Sequence, residues 1–280
     1  MEPLVNDRYT NSQNDRALNS IIGKRNGGAP VVGMYCGYAP VELVRAMGAV
    51  PVFLCASSRK TIEVAEAVLP LNLFPLIKSS FGFIQTDSCP FYALSEAIIG
   101  ETNCDGKKKM FELISYIKPT HIMDLPQLPD EAEALEAWTT MVHKLKFFLE
   151  KTFGTKITNQ KNRLMNGFFT YAAKVFRVIE EAGGAIVAME ASSGMKKGYS
   201  IEIEENTGDP ISALAKAYLK IPCSCMTPNQ LRFDALDEMI DRFKPDAVID
   251  VILQACHSYN IESYRIGQHV RNKHHLPSWR

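Results

Sequence analysis

Cys104 stands in the run Glu101-Thr102-Asn103-Cys104-Asp105-Gly106-Lys107-Lys108-Lys109-Met110, where a polar turn gives way to a helical pattern. A thiolate there is a soft metal donor, and the amides that open a helix would hydrogen-bond inorganic sulfur and balance negative charge. Iron-sulfur chemistry is what this combination points to. A free cysteine is more often a small buried hydrophobe, but Asn103, Asp105 and Gly106 weigh against simple packing here. Cys256 ends an apolar run and precedes His257-Ser258-Tyr259, and Cys225 shares a C-x-C loop with Cys223, of which one sulfur would face a common centre. Cys104, Cys256 and Cys225 are therefore the first candidates for metal ligands. Cys36, at a strand-to-helix turn, and Cys89, just before Pro90, are weaker candidates for the same cofactor, while Cys55, inside an apolar run, reads as core.

Other chemistries find less support. Zinc would want paired C-x-x-C or histidine spacings, and none occurs. The lysines after Gly106 are not a phosphate-binding P-loop, because the upstream glycine and the Ser/Thr after the lysine are missing, and 107–109 read as a solvated helix face. No G-x-G-x-x-G follows a strand, so a dinucleotide has no seat. His121, His143 and His257 have no evident nucleophile beside them, His274-His275 reads as an exposed pair, and Glu42 as a first-turn carboxylate facing the helix dipole.

The elements that must position these sulfurs alternate between β-rich and helical patterns, the mark of a parallel α/β sheet. Residues 29–35 read as a strand, 36–39 as a turn, 41–47 as a helix with Pro40 at its first position, and 50–56 as a second strand. Helix 91–99, closed by Gly100, helix 106–118, capped by Asp105, and strand 120–125 follow. Residues 129–153 carry apolar side chains, Leu135 and Trp138 among them, at helical spacing, and 159–182 form another helix. Strand 185–189, helix 211–219 behind Asp209-Pro210, a tight loop at 222–226, helix 229–243 and strand 247–253 complete the pattern. In open α/β sheets ligands collect beyond the carboxyl ends of the strands, which is where several cysteines fall.

Equal numbers of basic and acidic residues, 31 of each, leave no global field toward nucleic acid or membrane. Neither a signal peptide nor an apolar run of membrane-spanning length is recognisable, so the expected compartment is cytoplasmic and the cysteines are expected to remain thiols.

Six segments carry a family likeness: Tyr35-Cys36-Gly37-Tyr38-Ala39-Pro40-Val41-Glu42, Gly48-Ala49-Val50-Pro51-Val52, Leu76-Ile77-Lys78-Ser79-Ser80-Phe81-Gly82-Phe83, the Cys104 run, Ile221-Pro222-Cys223-Ser224-Cys225-Met226-Thr227-Pro228-Asn229 and Leu253-Gln254-Ala255-Cys256-His257. Together they resemble the 2-hydroxyacyl-CoA dehydratase D-component family, closest to its branch of double-cubane cluster proteins. The resemblance implies two flavodoxin-like α/β domains around a [4Fe-4S] or double-cubane cluster, within a homodimer or a heterodimer with a related subunit. It implies a separate ATP-dependent activator that passes on one low-potential electron, for dehydrating a 2-hydroxyacyl-CoA or reducing a small molecule. The expected layout is an arm at 1–28, a first α/β domain at 29–157 carrying the ligand loops, and a helical linker with a shortened second α/β domain at 158–280.

The likeness also implies departures. The family carries a cysteine where this chain has Phe74, which cannot bind iron, and Ser192 stands in for another. The first strand of the second domain is missing before Phe168, and relatives continue beyond Trp279-Arg280 with another strand and helix. Two alternatives follow: a cluster-free binding or scaffold protein, and an acyl-CoA-binding enzyme in which Lys107, Lys108 and Lys109 meet CoA phosphates.

Overall fold

A computed structural model describes residues 7–55, 58–157, 178–190, 202–204 and 207–280 of the chain. After helix α1 (Asp7–Asn26), four strands form one parallel sheet: β1 (Val31–Met34), β2 (Val50–Phe53), β3 (Ala97–Glu101) and β4 (Thr120–Met123), in the order β2-β1-β3-β4. This is the flavodoxin-like order, with the direction of winding reversing between β1 and β3. Successive residues point to opposite faces, as a strand requires. Val31 and Ile98 enter one apolar cluster, and Val32 and Ile99 enter the other.

Helices cover both faces. On one side lie α2 (Val41–Ala46), α7 (Ala134–Phe153) and α8 (Pro210–Leu219), whose Leu43, Trp138 and Leu214 share a cluster with β1. On the other lie α3 (Ile62–Ala65), α4 (Pro75–Gln85), α5 (Pro90–Leu94) and α6 (Asp105–Ser115). The α7 pattern follows its expected phase, burying Trp138, Val142, Leu145 and Leu149, although Leu135 turns outward. Asp209 caps α8 as its sequence suggests, its Oδ1 accepting from the amides of Ile211 and Ser212 at 3.2 and 3.1 Å.

Beyond the loop at 221–228 come α9 (Gln230–Phe243), β5 (Val248–Ile249), α10 (His257–His274) and β6 (Ser278–Trp279), with β5 and β6 paired in parallel. Among the described residues, no helix is long and apolar enough to cross a membrane.

Four expectations need correction. The run 91–99 is not one helix: α5 ends at Leu94 and 97–101 is an interior strand, hydrogen-bonded between β1 and β4. Gly100 does not close a helix; it lies under Phe111, where a Cβ would stand 2.5 Å from the ring. Among the described residues, 185–189 form no strand and Val248 and Ile249 are the part of 247–253 that does, because a strand exists only where a partner lies beside it. Most of helix 159–182, Phe168 and Ser192 fall outside the described residues.

Candidate functional site

The loops that leave β1 and β3 meet at the reversal point of the sheet. Glu101, fully buried at the end of β3, holds them together: its Oε1 accepts from the amides of Tyr38 at 3.0 Å and Ala39 at 2.8 Å. The chain then passes through Thr102, whose hydroxyl donates to Asp124 at 2.8 Å and accepts from the Leu125 amide at 2.9 Å. Gln127 donates to the Thr102 carbonyl at 3.0 Å and its own carbonyl accepts from the Thr227 amide at 2.8 Å, which ties the end of β4 to the cysteine loop at 223–225. Tyr38 closes the frame by donating to the Ile221 carbonyl at 2.9 Å, 3.9 Å from the Cys225 sulfur to its hydroxyl.

This frame lines a cavity of about 1450 Å³ that also takes its wall from α9, β5 and the start of α10. Cys36, Cys55, Cys104, Cys223, Cys225 and Cys256 all line it. Cys104 and Cys256 are the caps of α6 and α10, so two helix amino ends, one from each half of the chain, face the same space. Both ends carry partial positive charge. Burial pushes the Cys256 thiol up, as do the sulfurs of Cys223 and Cys104, while the Tyr259 amide and Lys107 pull it down. Sulfurs from 104, 223 and 256 thus share one electrostatic neighbourhood. None of the seven cysteines is in a disulfide.

Lys107 is not part of a solvated face. It is 8% exposed, and its Nζ donates to the Cys36 sulfur at 2.5 Å. Lys108 and Lys109 do point to solvent, Lys109 pairing with Glu112. Lys107 lies three, four and seven residues before Met110, Phe111 and Ile114, all buried on α6, and that spacing is the signal that would have placed it inward. Cys36 adopts a left-handed backbone with φ 55° and hydrogen-bonds Cys55, so Cys55 belongs to the cavity wall as well as to the core. The Cys55 contact and burial push the Cys36 thiol up, against the pull of Lys107 and Asn103.

Cys89 does not line the cavity. Its sulfur accepts from the Tyr92 amide at 3.4 Å and caps α5, and burial pushes its thiol up. The cap of α6 is Cys104 rather than Asp105, which is the first helical residue. Glu42 lies in the first turn of α2 and accepts from the Tyr218 hydroxyl at 2.7 Å. His274 is not an exposed neighbour of His275: its side chain is 10% exposed and meets Asp237.

The donor set suits an iron-sulfur group. Four cysteine side chains, at 104, 223, 225 and 256, offer soft donors around one space, and Asn103 Oδ1, Ser224 Oγ and Asp250 Oδ2 are buried on its wall without a hydrogen-bond partner among the described residues. Phe74 is the misfit, since its ring lies on the same wall. Sequence reasoning missed the second wall of the cavity, where Arg232 bridges Glu190, at 2.9 Å, and Glu262, and Asn229 donates to Glu262 at 2.8 Å. Nothing local marks these residues, because their partners stand 30 or more positions away.

The family model described as 2-hydroxyglutaryl-CoA dehydratase, D-component matches residues 36–165 and 163–280. A curated protein of Escherichia coli (strain K12), named "Putative dehydratase subunit YjiM", is 34% identical over an alignment of 352 positions that covers 98% of this chain and 91% of that one. At least 72 of those 352 positions face no residue of this 280-residue chain. The two family matches meet at 163–165. The chain belongs to the 2-hydroxyglutaryl-CoA dehydratase D-component family.

Proposed function

We propose that the chain is an iron-sulfur subunit of a 2-hydroxyacyl-CoA dehydratase, with Cys104 and Cys256 as ligands and the Cys223–Cys225 loop as the source of a further sulfur. The observation that carries this reading is the convergence of two cysteine-capped helix ends, one from each half, on one cavity. When bound, such a cluster supplies single electrons at low potential and an iron able to take an oxygen ligand.

The chain's own residues do the rest. The amides at the starts of α6 and α10 stabilise negative charge between them. Lys107, kept charged by Cys36, Cys55 and Glu101 against the effect of burial, adds a fixed positive charge behind Cys36. The cavity exceeds the ~300–1,000 Å³ of ordinary ligand pockets, leaving room for an acyl thioester beside a cofactor. Asp250 lies on its wall, and burial raises its carboxyl while Arg232 opposes the rise. In its protonated form that carboxyl can donate to a departing hydroxyl. The sequence holds no phosphate-binding loop, so the electron comes from a separate ATP-dependent activator, in a dimer of this chain or of this chain and a relative.

Phe74 favours a second reading, a member that keeps the fold without a cluster, because it sets an aromatic ring on the wall of the cavity that Cys104 also lines. The acyl-CoA reading through three lysines loses its basis, since Lys107 is buried away from Lys108 and Lys109.

Anaerobic reconstitution with analysis of iron and acid-labile sulfide separates the two. The dehydratase reading expects both elements in the full chain and their loss in Cys104→Ser and Cys256→Ser. A chain that takes up neither sinks it and leaves the scaffold.

A further inference from the structure

Asp237 of α9 faces His269 and His274 of α10, away from the cysteine cavity, whose wall includes none of the three. Both imidazoles direct Nε2 at the same carboxylate oxygen: His269 at 2.6 Å and His274 at 2.5 Å from Oδ1. All three ligand atoms lie within 4.8 Å of one another. The rings stand 5.8 Å apart and 60° out of plane, splayed around the oxygen rather than stacked. Phe233 packs edge-on against His269 at 5.1 Å and fixes its orientation. The side chains are 16%, 21% and 10% exposed, so the cluster is sheltered but reachable.

We propose that Asp237, His269 and His274 form a binding site for a divalent first-row cation of the zinc class. Two imidazole nitrogens and one carboxylate oxygen are the donors such ions prefer, and three protein ligands with one open position make a recurrent zinc arrangement. Calcium and magnesium, which ask for oxygen donors, are disfavoured. His269 also lines, with Lys273, a surface depression of about 280 Å³, which gives solvent a route to the cluster. Lys273 donates to the other oxygen, Oδ2, at 2.6 Å and fixes the carboxylate as an outer partner does, so the ion would replace the hydrogen bonds that the two imidazoles share at Oδ1. An ion here bridges α9 and α10, so its binding stabilises the second half of the chain.

The site is independent of the iron-sulfur reading, because no cysteine contributes to it. The full chain, freed of metal with a chelator, is titrated with Co²⁺, whose spectrum separates thiolate ligands from nitrogen and oxygen ligands. The unaltered chain is expected to bind one equivalent more than His269→Gln/His274→Gln, and that equivalent carries ligand-field bands without thiolate charge transfer. A single His274→Gln change is expected to weaken it about tenfold or more. Equal stoichiometry in folded variant and parent overturns the proposal. Should the variants misfold, zinc-soaked crystals of the unaltered chain decide: an anomalous peak among the three side chains supports the site, and zinc found only at cysteines overturns it.

Discussion

The sheet region and the region beyond residue 228 hold themselves together by different means. Around β1 to β4 two large apolar clusters fill both faces, and Val31, Val32, Ile98, Ile99, Met110 and Trp138 have no solvent exposure at all. Beyond residue 228 the buried apolar cluster is four residues, Phe233, Ile240, Ile266 and Val270, and the pairing strands are two residues each. Polar networks stand where the apolar core is thin: Arg232 with Glu190 and Glu262, and Asp237 with His269, Lys273 and His274. Apolar burial is non-directional and tolerant, whereas a buried ion network fixes one geometry and fails badly when one member is removed. The cavity takes one wall from each kind of structure.

The largest expected effect tests the apolar side. Trp138→Ala empties the centre of the cluster between the sheet, α7 and α8, at a cost of about 3–5 kcal/mol. Urea unfolding followed by far-ultraviolet circular dichroism measures it. A loss below about 1 kcal/mol, the size of an ordinary substitution, means that this face is not the stabilising core.

The next effect tests the polar side. Arg232→Ala strands Glu262 and Glu190 in a wall where the arginine is 5% exposed, costing about 3 kcal/mol. Amide exchange localises the loss: protection falls across 257–274 and holds across 97–101, since local opening follows the weaker unit. Replacing all three, Arg232→Met with Glu190→Gln and Glu262→Gln, recovers much of the stability because no uncompensated charge remains. Equal loss of protection in both regions shows the halves to be one cooperative unit and breaks the comparison.

What could be read in the sequence divides along the same line. The α7 stripe, the Asp209 cap and the first strand-helix-strand unit are local patterns, and the structure follows them. The segment 97–100 could not be assigned locally, because four apolar residues fit a buried strand and a helix end equally. Its two parallel neighbours and the close approach of Phe111 decide the matter, and both are distant in sequence. The run 247–253 erred the other way, having strand-forming residues but, among the described residues, only Ser278 and Trp279 to pair with. At the site, Cys104 stood out through its helix start and Cys256 through the apolar run it ends, whereas Cys36 with Lys107 and Asp237 with His274 are pairings across 71 and 37 positions. Polar contacts of this range leave no local periodicity. The second half, built on them, is correspondingly harder to read.

The smallest effect contrasts the histidines of the two halves. His269 and His274 on α10 find a carboxylate, while His121 on β4 stacks on Phe148 at 5.1 Å and its Nε2 is buried without a partner among the described residues. Burial, with help from Lys144, holds its pKa below the ordinary histidine value. A depressed pKa means that the unfolded chain binds the proton more readily, so the stabilisation is complete above about pH 6.5 and is lost as pH falls through the folded value. Mild acid is therefore expected to weaken the sheet half through His121. Urea midpoints at pH 7.5 and 5.5 for the parent and for His121→Phe measure the contribution, and the variant should show the shallower pH dependence. Identical slopes would assign the acid sensitivity to residues outside the sheet half.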